Sequence, residues 1–266
     1  MRIIIYCDFP YLFMMKRMLE IYDLGMMAYR EAWDLQKQAQ QLLIDQKRAL
    51  SADNSTPNEH SEYLLFTEHP HVYTLGKSGN SANLLKGYSE LVQIDAEYVE
   101  IDRGGDITYH GPGQIVGYPI LDLDEHFRDI HKYLRYLEEV VIRTCADYNI
   151  KAERVDGLTG VWVNDEKICA MGIRCSRWVT MHGFALNVNT DLSYFDHIIP
   201  CGISDKKVTS LSECTGKMID THEVKKRLIC HFTELFQMKP IEKSGKPSFR
   251  RGDTYKKAKS QNIDLL

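Results

Sequence analysis

The sequence predicts a mixed α/β (α+β) chain that folds as a single domain, with antiparallel-rich sheets flanked by helices. Three stretches carry apolar residues at the three- and four-residue spacing of an amphipathic helix. Between them lie short runs rich in Val, Ile, Tyr and Phe, bounded by turn-forming residues, which is the pattern of strands. No internal repeat and no long linker divides the 266 residues, so one domain is expected.

The three helices are predicted at 27–50, at 130–148 and from Asp220 onward. In each of them the apolar residues fall on one face, which predicts packing against a sheet. Asp220 is followed by Glu223 three residues later, and this pair predicts a capping box at the start of the third helix.

Strands are predicted along the rest of the chain, after a first regular pattern that begins near Leu19. The polar stretch 51–60 predicts a loop. Asn164 and Asp165 separate two apolar runs and predict a tight hairpin, although Asn-Asp is a weaker signal than Asn-Gly. The predicted strands are 63–66, 72–75, 99–102, 115–120, 160–163, 167–173 and 179–188.

The composition is that of an ordinary globular protein, with 44% hydrophobic and 26% charged residues. Seven cysteines at irregular spacing, without a CxxC pair, argue against a secreted disulfide framework. No apolar run reaches the roughly 18 residues that a membrane span needs, and the first residues lack the long apolar stretch of a signal peptide. A cytoplasmic location without membrane attachment is therefore expected.

The N-terminal region is predicted to be separate from the folded domain. Residues 1–18 form an extension that includes Met14, Met15 and Met18. We expect the biological start to be one of these methionines. Residues 19–238 are then the folded domain.

The C-terminal region, 239–266, is predicted to be a basic tail. Between 239 and 259 eight Lys or Arg stand against two acids, a net charge of +6, which leaves −10 for the rest of a chain whose overall charge is −4. Such a tail is either solvated or contacts an acidic protein partner. Nucleic acid is not expected as a partner, because the tail has two aromatic residues and the body is acidic.

A glycine-rich stretch, Arg103–Gln114, reads Arg-Gly-Gly-Asp-Ile-Thr-Tyr-His-Gly-Pro-Gly-Gln. Adjacent glycines let the backbone approach a ligand without interference from a Cβ atom. The spacings fit neither a P-loop nor a dinucleotide-binding fingerprint. His110 alone would suit a structural role, whereas the whole stretch predicts ligand binding.

A cysteine and a lysine form the second constellation. Cys201 lies between Pro200 and Gly202, residues that disfavour regular structure and tend to hold a side chain at the mouth of a site. Lys167 opens an apolar strand, where a lone lysine usually faces solvent. If Lys167 faces Cys201, its ammonium group favours the thiolate, the nucleophilic form, and the neutral amine can deprotonate an incoming amine. With the glycine-rich stretch, the pair predicts an enzyme that carries an acyl group on sulfur.

The remaining cysteines show no metal-binding pattern. Cys169 and Cys175 lie on strand-like segments and are predicted to be small core residues, and the other four fall in or near helices or the extension. His69 and His71 bracket a proline without cysteine ligands nearby, whereas metal ligands cluster at a spacing of two to four residues. No metal site is expected.

Four motifs together resemble the octanoyltransferase (LipB, lipoyl(octanoyl) transferase) family of the biotin/lipoate protein ligase superfamily. They occur in order between about Leu19 and Cys214, and Phe184 stands where the family commonly carries a smaller aliphatic residue. The motifs are Arg103–Gln114, Lys167–Arg174, His182–Asn189 and Asp191–Gly202.

The resemblance implies the biotin/lipoate protein ligase fold and a specific reaction. An octanoyl group would move from octanoyl-acyl carrier protein to a lysine of apo lipoyl domains, in 2-oxoacid dehydrogenase E2 subunits or glycine-cleavage H protein. Cys201 would be the nucleophile that forms a thioester, with Lys167 as its catalytic partner. No cofactor is implied beyond the phosphopantetheine of the carrier protein. The implied substrate-binding residues are Arg103, Gly104, Gly105, Asp106, Ile107, Thr108, Tyr109, His110, Ala170, Met171, Gly172, Gly183, Phe184 and Ala185.

Three alternatives remain at this point. An ATP-dependent lipoate or biotin ligase would share the fold but needs no cysteine nucleophile. An amidotransferase that moves acyl groups between protein lysines would also use a cysteine thioester. A non-catalytic module that sequesters acylated carrier protein would be marked by loss of Cys201 or Lys167, and both are present.

Overall fold

The computed structural model of the protein describes residues 17–53, 61–199 and 207–249. Several predicted features lie outside these ranges: the extension up to residue 16, most of the polar loop, Cys201, and the tail beyond residue 249.

The described residues form eleven strands and five α-helices. The strands are β1 (Arg17–Met26), β2 (Ser61–Glu68), β3 (Val72–Leu75), β4 (Glu97–Glu100), β5 (Ile107–His110), β6 (Gln114–Ile120), β7 (Glu153–Val155), β8 (Leu158–Val163), β9 (Glu166–Ser176), β10 (Val179–Asn187) and β11 (Met238–Lys243). The helices are α1 (Tyr29–Asp53), α2 (Tyr88–Gln93), α3 (Ile130–Ala146), α4 (Leu211–Thr215) and α5 (Thr221–Phe236).

Two sheets organise the chain. The larger has eight strands in the order β11-β1-β2-β6-β10-β9-β8-β7, and the smaller has the order β4-β3-β5. Only the pairs β11–β1, β1–β2 and β3–β4 are parallel among the strand pairs of the described residues. The predicted single domain with antiparallel-rich sheets and flanking helices is therefore confirmed.

Helices cover both faces of the larger sheet. On one face, α3 and α5 bury Leu137 and Leu228 in a cluster that includes Leu186 of β10. On the other, α1 buries Leu35 in a cluster that includes Ala185, the neighbour of Leu186. Adjacent residues of β10 thus face opposite layers, as the two-residue period of a strand requires. Each large apolar side chain so buried contributes about 1.5–3 kcal/mol.

Two consecutive hairpins place the central strands side by side. Asn164 and Asp165 adopt φ values of +48° and +68°, the left-handed pair of a type I′ turn, which confirms the predicted hairpin between β8 and β9. Arg177 and Trp178 repeat this geometry between β9 and β10, with φ values of +53° and +65°. The register sets Gly172 opposite Gly183, so two of the predicted motifs face each other across one ladder.

Several elements differ from the prediction. Strands β1, β7 and β11 and the short helices α2 and α4 were not expected as separate elements. Strand β5 runs through the glycine-rich stretch, which was expected to be a loop. The strand predicted at 99–102 lies two residues earlier, as β4.

The start of α5 is also corrected. Asp220 is its N-cap, but its side chain accepts from the backbone N–H of His222, at 2.9 Å. The carboxylate of Glu223 is engaged by Arg227 one turn later, at 3.1 Å. A simple N-cap therefore replaces the predicted capping box.

The predicted domain boundaries shift at both ends. Strand β11 pairs with β1 in a register that places Arg17 opposite Met238 and Tyr22 opposite Lys243. Phe249 is buried and packs edge-on against Tyr63, with ring centroids 4.8 Å apart. The folded region thus begins before residue 19 and continues at least to Phe249, well into the segment predicted as a basic tail. In the described ranges no helix has the length and apolar character required to cross a membrane.

Candidate active site

A cavity of about 460 Å³ opens between the β9–β10 ladder, strand β5 with the loop before it, and the first turn of α1. Fourteen of the sixteen predicted site residues line it. Of the other two, Tyr109 lies elsewhere and Cys201 is outside the described residues. The predicted residues that line the cavity are Arg103, Gly104, Gly105, Asp106, Ile107, Thr108, His110, Lys167, Ala170, Met171, Gly172, Gly183, Phe184 and Ala185.

The side chain of Arg103 anchors the loop that begins at this residue. The Arg103 guanidinium donates to the backbone oxygen of Thr74 at 2.6 Å and to its Oγ1 at 3.0 Å. Gly105 has a φ of +86°, and the backbone N–H of Gly104 donates to the oxygen of Ile173 at 2.9 Å. The adjacent glycines therefore let this loop contact β9 directly and form one wall of the cavity.

His110 lies on β5 within a buried hydrogen-bonded group. Its Nδ1 is 2.8 Å from Oε1 of Gln114, whose amide nitrogen donates to Oδ1 of Asn187 at 2.9 Å. Burial, with a further contribution from nearby His69, holds the pKa of His110 well below its ordinary value. The imidazole is therefore neutral at pH 7, with Nδ1 as the donor to the amide oxygen.

Tyr109 belongs to an aromatic cluster outside the cavity. Its hydroxyl is 2.8 Å from Nδ1 of His71, and its ring stacks on Tyr194 at a centroid distance of 5.0 Å. Tyr73 extends the cluster, donating from its hydroxyl to the backbone oxygen of Tyr194 at 2.9 Å. The cluster thus connects the smaller sheet to the segment that leads to Cys201.

Lys167 is half-buried at the start of β9 and lines the cavity. Its Nζ lies 4.7 Å from the centroid of the Trp162 ring on the neighbouring strand β8. Its backbone N–H donates to the oxygen of Lys207 at 2.9 Å, and its own oxygen accepts from the N–H of Thr209 at 3.0 Å. The chain that follows Cys201 is thus hydrogen-bonded to Lys167 itself.

The chain that precedes Cys201 is linked to the cavity through Asn83. The N–H of Ile199 donates to the backbone oxygen of Asn83 at 2.8 Å. The side-chain amide of Asn83 donates to the carboxylate of Asp106 at 2.5 Å. Both segments that flank Cys201 therefore contact residues of the predicted site or their neighbours.

A partly buried polar group joins the Arg103 loop to β9 and β10. The Asp102 carboxylate forms an ion pair with Arg174 and accepts from Nε2 of His182 at 2.9 Å. Burial, and then the charges of Arg103 and Arg174, lower the pKa of His182 to about 3. The imidazole is therefore neutral, and its Nε2–H is the donor to Asp102.

His69, Cys169 and Cys175 lie away from the cavity. His69 Nδ1 is 2.7 Å from the oxygen of Met27, and its Nε2 is 2.7 Å from the Tyr118 hydroxyl. Cys169 is fully buried in the core, as predicted, whereas Cys175 is only half-buried at its edge. Among the described residues no cluster of three or more His, Cys, Asp or Glu is arranged for a metal ion.

Several cavity residues were not predicted from the sequence. Tyr29 comes from α1, and Trp162 from β8, so only tertiary contacts bring them to the site. His182, Gln114 and Asn187 lie inside predicted motifs, and that proximity was the available signal. The unpredicted lining residues are Tyr29, Gln114, Val116, Tyr118, Leu134, Gly157, Leu158, Thr159, Trp162, Ile173, His182, Asn187, Phe195, Lys207 and Val208.

Comparison with known proteins identifies the family. The family model of the lipoyl protein ligase A/B catalytic domain matches residues 29–233. The chain belongs to this family. Within the lipoyl protein ligase A/B family, its similar curated relatives are octanoyltransferases. That of Christiangramia forsetii is 56% identical over 84% of this chain and 97% of its own length. That of Cytophaga hutchinsonii is 54% identical over 81% of this chain and 91% of its own length.

Solved structures of lipoate protein ligases share the fold at low sequence identity. A lipoate-protein ligase A bound with ATP superposes with a TM-score of 0.64 at 14% identity, covering 94% of each chain. A bipartite lipoate protein ligase from Thermoplasma acidophilum, described with its E2 lipoyl domain, gives 0.65 at 14% identity over 94% of this chain and 93% of that one. The predicted fold type and membership of the octanoyltransferases, an acyltransferase class, are confirmed.

Proposed function

We propose that this octanoyltransferase moves the octanoyl group from octanoyl-acyl carrier protein to a lysine of an apo lipoyl domain through a thioester on Cys201. The observation that carries the proposal is the convergence of three sequence motifs with Lys167 on one cavity. The chain after Cys201 is hydrogen-bonded to Lys167, and the chain before it is bonded to Asn83, whose side chain donates to Asp106 of the cavity; both contacts support a place for the thiol near the lysine.

In the first step the Cys201 thiolate attacks the carbonyl carbon of the donor thioester. The carbon–sulfur bond to the phosphopantetheine breaks, the carrier-protein sulfur leaves as a thiolate that takes a proton from the Lys167 ammonium or from water, and the acyl group is now on Cys201. A protonated Lys167 favours the thiolate in this step. Because one thioester replaces another, the step is close to isoenergetic.

In the second step the ε-amine of the acceptor lysine attacks the acyl-enzyme. An amide bond forms, the bond to Cys201 breaks, and the proton lost by the amine passes to a base. Neutral Lys167 is our candidate for this base, because it lines the cavity and a base must lie within hydrogen-bond reach of the proton it takes. The conversion of a thioester to an amide is downhill, so no nucleotide or other cofactor is required.

The oxyanion of each step needs backbone donors. Gly183–Ala185 and Ala170–Gly172 were both candidates from the sequence. Strand β10 pairs with β9 on one side and with β6 on the other, so its N–H groups at Phe184 and Ala185 serve the sheet. Strand β9 extends past its last pair with β8, Val161–Cys169. The N–H groups of Ala170–Gly172 that point away from β10 are therefore the better candidates.

The octanoyl tail supplies much of the binding free energy. At ~0.8 kcal/mol per buried methylene, the tail contributes on the order of 5 kcal/mol. Removing two carbons would cost roughly 1.6 kcal/mol, or about fifteen-fold in affinity. The enzyme should therefore prefer its own chain length without excluding shorter ones.

The protein partners follow from this reaction. A lipoyl domain is the acceptor, as supported by the similarity in fold to a ligase described with its E2 lipoyl domain. The donor is octanoyl-acyl carrier protein, and basic residues beyond 249 are suited to an acidic carrier. Because β11 is part of the sheet, the test of this contact is a deletion of 250–266, not one that starts at residue 240. Unchanged affinity for the carrier protein after that deletion would remove the tail from the interface.

Intact-protein mass spectrometry tests the mechanism directly. The purified chain is mixed with octanoyl-acyl carrier protein without ATP, beside the variants Cys201→Ala and Cys214→Ala. Cys214 is an exposed thiol on α4 and provides the matched control. The wild type and Cys214→Ala should each gain one octanoyl group that hydroxylamine releases, and Cys201→Ala should gain none.

Two other results would point to the alternatives. If no adduct forms and transfer instead requires ATP with free octanoate or lipoate, the chain is a ligase. If octanoyl-H protein donates better than octanoyl-acyl carrier protein, the chain is an amidotransferase that works between protein lysines.

A further inference from the structure

The cavity extends to two sides of Lys167. On the β10 side it is bounded by β9, β10, β6 and the glycine-rich stretch, and the predicted substrate-binding residues that line it belong to this side. On the β8 side it reaches Gly157, Leu158 and Thr159 around the start of that strand, and Leu134 of α3. The sequence motifs therefore assign a ligand to one side of the cavity and leave the other side without one.

The side chain of Lys167 runs toward the β8 side. Lys167 pairs with Trp162 in the ladder, and its Nζ lies 4.7 Å from the centroid of the Trp162 ring. A Cβ atom built on Gly160 would lie 3.5 Å from Cε of Lys167, so the aliphatic part of the lysine passes over this glycine. The ammonium group thus lies over β8 and away from β10.

Strands β8 and β9 separate beside this lysine. Among the described residues their register ends at the pair Val161–Cys169, yet Leu158 and Thr159 of β8 and Ala170 of β9 line the same cavity. Backbone groups at the edge of a strand form hydrogen bonds with the amides of an extended chain. A ligand that carries amide groups therefore fits the space between these two strands better than a hydrocarbon does.

The two sides of the cavity differ in their access to solvent. On the β10 side, Val116 and Ala185 are 1% and 4% exposed. On the β8 side, Gly157 and Thr159 are exposed and Leu158 is half-buried. An acyl tail that ends inside the enzyme suits the enclosed side, whereas a chain that leads out to another protein requires the open side.

We propose that the β8 side of the cavity, lined by Leu134, Gly157, Leu158 and Thr159, binds the pantetheine arm of the acyl donor. The inference rests on the proposed function, because it requires a thioester that reacts beside Lys167. The acyl chain and the sulfur arm leave the thioester carbonyl in different directions, so they occupy different sides of the cavity. In the proposed mechanism Lys167 acts on the departing sulfur or on the incoming amine, not on the acyl tail, and its ammonium lies over β8.

Lys207 extends the β8 side to the protein surface. It is exposed, lines the cavity, and accepts a hydrogen bond at its backbone oxygen from the N–H of Lys167. The pantetheine arm ends in a phosphodiester that joins it to the carrier protein, and a lysine ammonium binds phosphate as a point charge. Lys207 is therefore the cation for the far end of the arm.

The experiment uses two donors that differ in the length of the sulfur arm. These are octanoyl-pantetheine and octanoyl-N-acetylcysteamine, in which the arm stops after the first amide. Release of the free thiol is measured with the full chain and an apo lipoyl domain as acceptor, and kcat/KM should be higher for octanoyl-pantetheine. Leu158→Ala should lower the ratio of the two values about four- to fifteenfold, the effect of losing one or two methylene contacts. A purely structural role would lower both values together and leave the ratio unchanged.

Leu235→Ala is the matched control. Leu235 is also half-buried, but it lies on α5 and does not line the cavity. The ratio should be that of the wild type in this variant. An equal fall in the control would overturn the proposal, because general loosening of the fold would then explain it.

Lys207→Ala provides a second route if Leu158→Ala does not fold. This variant should lower the ratio of kcat/KM for octanoyl-phosphopantetheine over octanoyl-pantetheine about two- to fivefold. Folded variants that keep the wild-type ratios, or a wild type that uses all three donors equally, would overturn the inference while leaving octanoyl transfer intact. A wild-type chain that transfers octanoyl neither from these donors nor from octanoyl-acyl carrier protein would overturn the proposed function and this inference with it.

Discussion

The ammonium group of Lys167 lies 4.7 Å from the centroid of the Trp162 ring, and Trp162 is only 2% exposed. A cation over the face of an indole is stabilised by about 0.5–2 kcal/mol, depending on how far it is desolvated. The Trp162 ring therefore restricts the positions that the Lys167 ammonium group can take. The ring also forms part of the cavity wall.

Substitution of Trp162 should slow octanoyl transfer in a graded way. Trp162→Leu removes the ring and should lower kcat by between about two- and thirtyfold. Trp162→Phe keeps a weaker aromatic face and should lie between Leu and wild type. Transfer rates check this order, and thermal melts followed by circular dichroism show whether the variants are folded. Equal decreases in kcat for the two variants would assign the effect to packing alone.

Lys167→Arg should separate the two chemical steps. Arginine retains the positive charge that favours a thiolate but cannot serve as a base near neutral pH. Formation of the Cys201 adduct should therefore persist, while amide formation should slow by a factor of about 10²–10⁴. Single-turnover mass spectrometry follows both steps in one sample. If both steps slowed equally, the division of roles would be wrong.

Asn83 should matter for turnover although the sequence does not mark it. Its backbone oxygen accepts a hydrogen bond from Ile199, and its side-chain amide donates one to Asp106. One residue therefore links the chain before Cys201 to the glycine-rich loop. Asn83→Ala should lower the transfer rate about tenfold, the effect of losing one hydrogen bond to a charged group. Ser89→Ala, at an exposed position on α2, is the control and should match wild type.

Protein stability should fall below about pH 6.5 because buried histidines resist protonation. Burial lowers the pKa of His69 from 6.5 to about 4, so between these values the unfolded chain binds a proton that the folded chain does not. The free energy of unfolding should therefore fall by about 1.4 kcal/mol per pH unit from this residue as pH drops through that window. Above about pH 6.5 the residue is neutral in both states and contributes no slope.

Urea titrations of wild type and His69→Gln at several pH values measure this slope. The variant should show a shallower decline than the wild type. His131→Gln, at an exposed position on α3, is the control. Identical slopes for wild type and His69→Gln would contradict the assignment.

Gly183→Ala should be destabilising because two strands approach too closely for a side chain. A Cβ atom there would lie 2.2 Å from the backbone oxygen of Gly117 and 2.6 Å from Cδ of Pro119. Forced separation of the strands should lower the free energy of unfolding by about 1–3 kcal/mol. At Gly87 the nearest atom would be 3.6 Å away, so Gly87→Ala should cost less than about 1 kcal/mol as a weaker helix cap. Equal unfolding midpoints in urea for the two variants would refute the steric argument.

Elements with a regular pattern and clear turn residues were predictable from the sequence. Helix α3 and the Asn164–Asp165 hairpin are examples, since each carries its own periodicity. Strand β1 was not, because it lies between two parallel neighbours and is buried from Leu19 to Tyr22 on both faces. A strand covered on both sides shows no alternation.

Strand β11 was not predicted as a strand because lysines alternate with its buried residues. Met238, Pro240 and Ile241 are buried, while Lys239 is half-buried between them. The net charge of the region predicted a tail, because it counts the lysines and ignores the apolar residues between them. The residues between them, not the net charge, decide that this segment pairs with β1.

The motifs predicted which residues gather at the cavity, but not how they face it. Tyr109 sits between two residues that line the cavity and yet contributes its ring to the cluster behind β5. His182 requires a left-handed backbone conformation to reach the cavity, and no local pattern in the sequence predicts this conformation. Such orientations depend on contacts between distant parts of the chain, which single-sequence reasoning does not supply.

Strand β1 is held between β2, which follows it closely in the chain, and β11, from which it is separated by residues 27–237. Its second edge therefore stays uncovered on the ribosome until almost the whole catalytic region has been translated. Contacts of such long sequence separation slow folding, and an uncovered strand edge can pair with another chain. We expect the nascent chain to be prone to pairing at that edge until β11 has been made and covers it.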